Sequence, residues 1–140
     1  PPQSQAPPEG DAPGVSRRVL VVDDNRDSAD TMVSLLQLLG HEAQAVYGAR
    51  DAVEAAQDFQ PQLVLLDLNM PDGDGYSVLR QLREAMPGPL FVAAMTGYGQ
   101  ETDRRRTARA GFQAHLTKPV GIEELQRVLA NAAGRQAPSP

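Results

Sequence analysis

Short apolar runs, each ended by a polar residue, constrain the fold of this chain more than any other feature. Val19 to Val22 stops at Asp23, Leu63 to Leu66 at Asp67, Leu90 to Met95 at Thr96, and Ala114 to Thr117 at Lys118. Runs this short are too brief for helices. At least the first three are apolar without alternation, the pattern of strands covered on both faces. A weaker fifth candidate spans Glu42 to Val46.

The intervening segments repeat at helical spacing. Ala29, Met32, Val33, Leu36 and Leu39 form one stripe that stops at Gly40, a residue suited to the left-handed position after a helix. A second helix is predicted from about Ala49 to Phe59, closed by Pro61, and a third from about Tyr76 to Ala85. The last carries Leu125, Val128, Leu129 and Ala132, with Glu123 and Glu124 in a first turn where the helix dipole favours negative charge. The fourth, about Gln100 to Ala110, has almost no apolar stripe and is expected to pack weakly. Strands alternating with helices predict a single α/β domain of flavodoxin-like (βα)5 type, a doubly wound parallel five-stranded sheet. Ligands bind such sheets outside the carboxyl ends of the strands.

Composition removes several function classes. A length of 140 residues fits one domain, and no run of eighteen apolar residues is present to span a membrane. The N-terminus lacks the layout of a signal peptide, so a cytoplasmic location is expected, with a parent protein that could itself be membrane-attached. Without cysteine, disulfides and thiolate chemistry are excluded. A net charge of −5 argues against a nucleic-acid partner, and the one basic cluster, Arg104, Arg105, Arg106 and Arg109, has no interleaved aromatics. It reads as a solvated helix face. His41, just after Gly40, reads as plain surface.

Parallel strands point one way, so Asp23, Asp24, Asp67, Thr96 and Lys118 are expected to converge on one sheet edge although they span 96 residues of sequence. Lys118 is the only lysine beside twelve arginines. Its compact ammonium suits a small pocket where it meets a phosphoryl oxygen. Three converging carboxylates repel each other unless a cation is present, and a hard divalent ion with oxygen ligands is the simplest remedy. Adjacent Asp23 and Asp24 also suit a turn or helix cap. Asp67 is harder to read that way, because it directly follows an apolar strand and precedes a turn-rich loop. A carboxylate, a hydroxyl, an ammonium and a metal in one cleft suit phosphoryl transfer to the carboxylate.

The segments Val-Val-Asp-Asp-Asn, Leu-Leu-Asp-Leu-Asn-Met-Pro-Asp-Gly-Asp-Gly, Met-Thr-Gly and Leu-Thr-Lys-Pro, in that order, resemble a response-regulator receiver domain over residues 17 to 134. The resemblance implies that Asp67 accepts a phosphoryl group from a phosphohistidine. It implies magnesium, or manganese in its place, bound directly by Asp24 and Asp67, by the backbone carbonyl of Asn69, and by Asp23 through water. It also implies a cis Lys118–Pro119 peptide, a histidine kinase or histidine phosphotransfer domain as partner, and a switch in which Thr96 draws in the Gly97-Tyr98-Gly99 loop. Gly97 and Tyr98 would line the cleft.

One departure stands out. Three residues before the lysine the family usually has Tyr or Phe, whereas this chain has His115, either a half-exposed strand histidine or a switch that titrates near physiological pH. An aspartate-nucleophile phosphatase is disfavoured because Asn69 stands where a second carboxylate would act. A receiver-like module that binds protein without phosphorylation is the alternative. Residues 1–16 and 135–140 read as linkers, with five prolines in residues 1–14. Together with an initial proline, they suggest a receiver within a longer chain such as a hybrid histidine kinase, with a stand-alone regulator as the alternative; its output is not legible.

Overall fold

A computed structural model describes residues 16–86, 88–97 and 104–136. The central sheet has five parallel strands, β1 (Arg18–Val22), β2 (Glu42–Val46), β3 (Leu63–Asp67), β6 (Phe91–Gly97) and β7 (Ala114–Lys118), in the order β2-β1-β3-β6-β7. The strand sequence reverses direction between β1 and β3, which opens a crevice at their carboxyl ends. The helices are α1 (Arg26–Leu38), α2 (Ala52–Phe59), α3 (Gly75–Ala85), α4 (Arg104–Ala110) and α5 (Ile122–Gln136). The (βα)5 expectation is met.

Pleating sorts the core. Side chains alternate across a strand, so Val19, Val21, Leu63, Leu65, Phe91, Ala93, Met95 and Leu116 pack with α1 and α5 on one face. Leu20, Val22, Val64, Leu66, Val92 and Ala94 pack with α2 and α3 on the other. All five residues of β3 are buried. Each fully buried Leu or Val contributes about 1.5–3 kcal/mol. Edge strand β2 alternates in exposure, which is why its sequence signal is weak.

Two boundaries and one added element differ from the sequence expectation. Helix α2 begins at Ala52 rather than Ala49, and in the segment before it the amides of Ala49 and Arg50 donate to the Asp72 carboxylate at 3.0 and 3.2 Å. A minimal antiparallel pair, β4 (Asn69–Met70) with β5 (Gly73–Asp74), occupies the loop after Asp67. The strand expected over Leu90 to Met95 runs from Phe91 to Gly97. His41 is half-buried rather than plain surface: its Nδ1 accepts from the Arg17 amide at 3.0 Å, and burial lowers its pKa. The expected Tyr98 contact with the cleft, and the start of the fourth helix, lie outside the described residues. No described helix is long and apolar enough to cross a membrane.

Candidate functional site

Asp23 follows β1 and Asp67 ends β3, adjacent strands, and the two carboxylates are 1% and 4% exposed. The same local device holds both. The Asn25 amide donates to Asp23 Oδ1 at 3.0 Å and the Asn69 amide donates to Asp67 Oδ1 at 2.9 Å, each two residues on. Asp23 and Asp24 do not cap α1, since Asn25 does so by accepting from the Ser28 amide at 2.9 Å. Asp23 does form the expected turn, through the Asn25 amide, and Asp24 is exposed.

Lys118 reaches in from the end of β7. Its Nζ donates to Asp23 Oδ2 at 2.9 Å and to Asp67 Oδ2 at 3.2 Å. Pleat parity explains the meeting. Lys118 shares the parity of Ala114 and Leu116, which face α1 and α5, the face toward which Asp23 and Asp67 also project by parity. Thr96 has the opposite parity in β6 and pairs in register with Thr117. Its buried hydroxyl lies 3.1 Å from His115 Nε2. Gly97 pairs with Lys118 at the same edge. These residues thus share the expected edge of the sheet but lie on two sides of it. The peptide between Lys118 and Pro119 is cis.

Electrostatics set the two aspartates apart. Burial pushes Asp67 upward, and neighbouring Asp23 adds to the rise against the opposing Asn69 amide and Lys118 charge. Burial also opposes ionisation of Asp23, but the Asn25 amide and Lys118 outweigh it and hold its pKa below the ordinary value. Burial disfavours the Lys118 charge, yet the Asp23 hydrogen bond and both carboxylates keep its pKa raised. One ammonium thus shares two buried acids.

Asp23, Asp24 and Asp67 each offer an oxygen within 4.8 Å of the others. An all-oxygen donor set with three carboxylates and a single internal counter-charge fits a hard divalent ion such as magnesium. Beside Lys118 a groove of about 410 Å³ runs between α1 and the segment after β7, with Met32, Leu35, Pro119 and Val120 in its walls.

A family profile for the response regulator receiver domain matches residues 19–130. The chain belongs to that family. Receiver domains are signalling modules of two-component systems and act as phosphoacceptors. This receiver is 35% identical over 112 residues to an uncharacterised 14.6 kDa protein of Leptolyngbya boryana, covering 79% of this chain and 86% of the relative. The receiver domain (CheY-like) from Methylobacillus flagellatus is 29% identical with a TM-score of 0.75, over 84% of this chain and 99% of that one. The signal receiver domain of a LuxO-type repressor protein from Vibrio parahaemolyticus is 26% identical with a TM-score of 0.76, over 86% and 92% of the two chains.

Two features of this receiver escaped the sequence reading. Asn25 orients Asp23 while capping α1, and its position just before the first apolar stripe was the available signal. Thr107, the one buried described residue of α4, approaches His115 from the far side; nothing in the spacing of residues 107 and 115 marks that contact.

Proposed function

We propose that Asp67 accepts a phosphoryl group from a phosphohistidine on a histidine kinase or histidine phosphotransfer domain, and that residues 17–134 form the unit that does so. The observation that carries this reading is the Lys118 ammonium held between Asp23 and Asp67 at 2.9 and 3.2 Å. An Asp67 oxygen attacks phosphorus. The new O–P bond forms as the P–N bond to the donor imidazole breaks, its electron pair remaining on the ring nitrogen. Lys118 then has a phosphoryl oxygen to neutralise in place of the Asp67 carboxylate, and Thr96 donates its hydroxyl hydrogen to another. Asp24, Asp67 and the Asn69 carbonyl would hold magnesium or manganese directly and Asp23 through water, and the ion would supply positive charge to the phosphoryl oxygens when bound.

The donor fits the groove beside Lys118, where Met32, Leu35, Pro119 and Val120 offer apolar surface to a histidine-bearing helix. Asn69, where a phosphatase would need an acid, favours a single transfer over turnover on small esters. Acetyl phosphate with magnesium tests the reading. One acid-stable but base-labile phosphoryl adduct is expected on the wild type and none on Asp67→Asn. An adduct that persists in Asp67→Asn would move the acceptor elsewhere, and no adduct at all would favour a binding module that works without phosphorylation.

A further inference from the structure

His115 sits between two hydroxyls. Its Nε2 is 3.1 Å from Thr96 Oγ1 and its Nδ1 is 3.4 Å from Thr107 Oγ1, the second contact being the longer. Thr107 has a single hydroxyl hydrogen, and it is donated to the Arg104 carbonyl at 2.9 Å. Toward His115 it can therefore only accept, which puts the ring proton on Nδ1 and leaves Nε2 with a lone pair. Thr96 must then donate its own single hydrogen to Nε2. The hydrogen bonds run one way, from Thr96 through the imidazole and Thr107 to the first turn of α4.

This arrangement conflicts with the role proposed for Thr96. A phosphoryl group on Asp67 needs the hydrogen that the neutral imidazole already holds. When the ring gains a proton at Nε2, it donates to Thr96 Oγ1 and frees that hydrogen, while Nδ1–H keeps its contact with Thr107. The other tautomer of the neutral ring also frees it, but sets the Nδ1 lone pair against Thr107 Oγ1 unless that hydroxyl leaves the Arg104 carbonyl. Protonation is the route that frees the Thr96 hydrogen while keeping both the Thr96 contact and the bond to α4.

We infer that His115 couples phosphorylation of Asp67 to uptake of one proton from solvent, so that activation of this receiver is favoured in mildly acidic conditions. The inference rests on Asp67 as the phosphoacceptor. The charges around the ring fit a group that is neutral at rest. Arg104 on α4 bears on it, β6 presents Ala94 and Thr96, and Lys118 on its own strand turns its ammonium to the aspartates. Burial and Arg104 both lower its pKa in the unphosphorylated state. By linkage, a state that prefers the charged ring raises that pKa, so the coupling is present below the raised value and lost as pH climbs through it.

The test is nitrogen NMR of the His115 ring across pH 5 to 8 in the full chain, with magnesium, with and without beryllofluoride as the phosphoryl mimic. The free ring should carry its proton on Nδ1, and its titration midpoint should rise when the mimic binds. Mimic affinity should be at least about threefold tighter at pH 6 than at pH 8, relative to the same ratio in His115→Phe, which corrects for the mimic's own pH dependence. Thr107→Val, which keeps the shape and removes the oxygen, should abolish the preference for Nδ1–H. A midpoint unmoved by bound mimic, or a free ring protonated on Nε2, would overturn the coupling and leave the phosphoacceptor reading standing. Failure of the mimic to bind wild type at all would overturn both.

Discussion

At Asp67 the requirements of chemistry and stability oppose each other. Its carboxylate is 4% exposed beside a second buried aspartate, and one lysine serves both, so the ionised form that attacks phosphorus is also the form the fold tolerates least. Asp67→Asn keeps the shape and removes one charge. In the presence of chelator its urea midpoint should lie above that of wild type, and magnesium should stabilise wild type while moving the variant little. Equal magnesium responses in the two proteins would mean that Asp67 does not hold the ion. His41 poses a simpler case. Burial and the nearby Arg17 charge lower its pKa, so the neutral ring belongs to the folded state. Its contribution is present above the unfolded value of about 6.5 and is lost as pH falls toward the lower folded value. Asn at this position offers an oxygen where Nδ1 accepts the Arg17 amide. His41→Asn should therefore narrow the drop in thermal midpoint between pH 7 and pH 5; an unaltered drop would place the acid sensitivity elsewhere.

The elements tie the two ends of the sheet by different means. At the carboxyl end, a Cβ on Gly75 would come within 2.7 Å of Leu68 Cδ2, 2.9 Å of Leu68 Cα and 3.2 Å of the Asp67 carbonyl oxygen. The first residue of α3 thus rests on the backbone that carries the acceptor. Gly75→Ala should cost about 1–3 kcal/mol through overpacking and should slow labelling by acetyl phosphate, because the strain falls on Leu68 and the backbone carbonyl of Asp67, next to the acceptor side chain. At the opposite end Arg83 of α3 donates to the carbonyls of Leu90 and Gly111 and to Gln113 Oε1, which also accepts the Val92 amide. Arg83→Met leaves those acceptors short of donors and should also cost about 1–3 kcal/mol, yet leave the labelling rate unchanged. Denaturation and labelling measured on both variants separate the two ends. If Arg83→Met slowed labelling as much as Gly75→Ala, the distinction would fail.

For the molecule as a whole, the apolar runs made the sheet legible, because a strand covered on both faces has few alternative readings. Asp23, Asp67 and Lys118 followed from where those runs stop. The start of α2 did not, since Ala49 continues an apolar stripe while its amide is claimed by Asp72, a partner 23 residues away. The division of Thr96 from Lys118 was within reach, as pleat parity follows from counting along β6 and β7. Thr107 beside His115 was not, because it depends on how α4 docks. That docking is also where the molecule is weakest. Among the described residues of α4 only Thr107 is buried, whereas α1 buries Ala29, Met32 and Leu36 and α5 buries Leu125, Val128, Leu129 and Ala132. Arg104, Arg105, Arg106 and Arg109 all stand exposed, with the Arg106 guanidinium 4.5 Å over the Tyr76 ring. A helix that buries a single described side chain opens at lower free energy than its neighbours. Amides of Arg104–Ala110 should exchange with solvent roughly a hundredfold faster than those central to α1 and α5. Because Thr96, His115 and Thr107 link the cleft to this helix, beryllofluoride with magnesium should change exchange in α4 and in the carboxyl ends of β6 and β7, while amides around Arg83 keep their rates. Exchange in α4 as slow as in α5, or a response spread evenly over the sheet, would show that the phosphoryl signal does not leave through this helix.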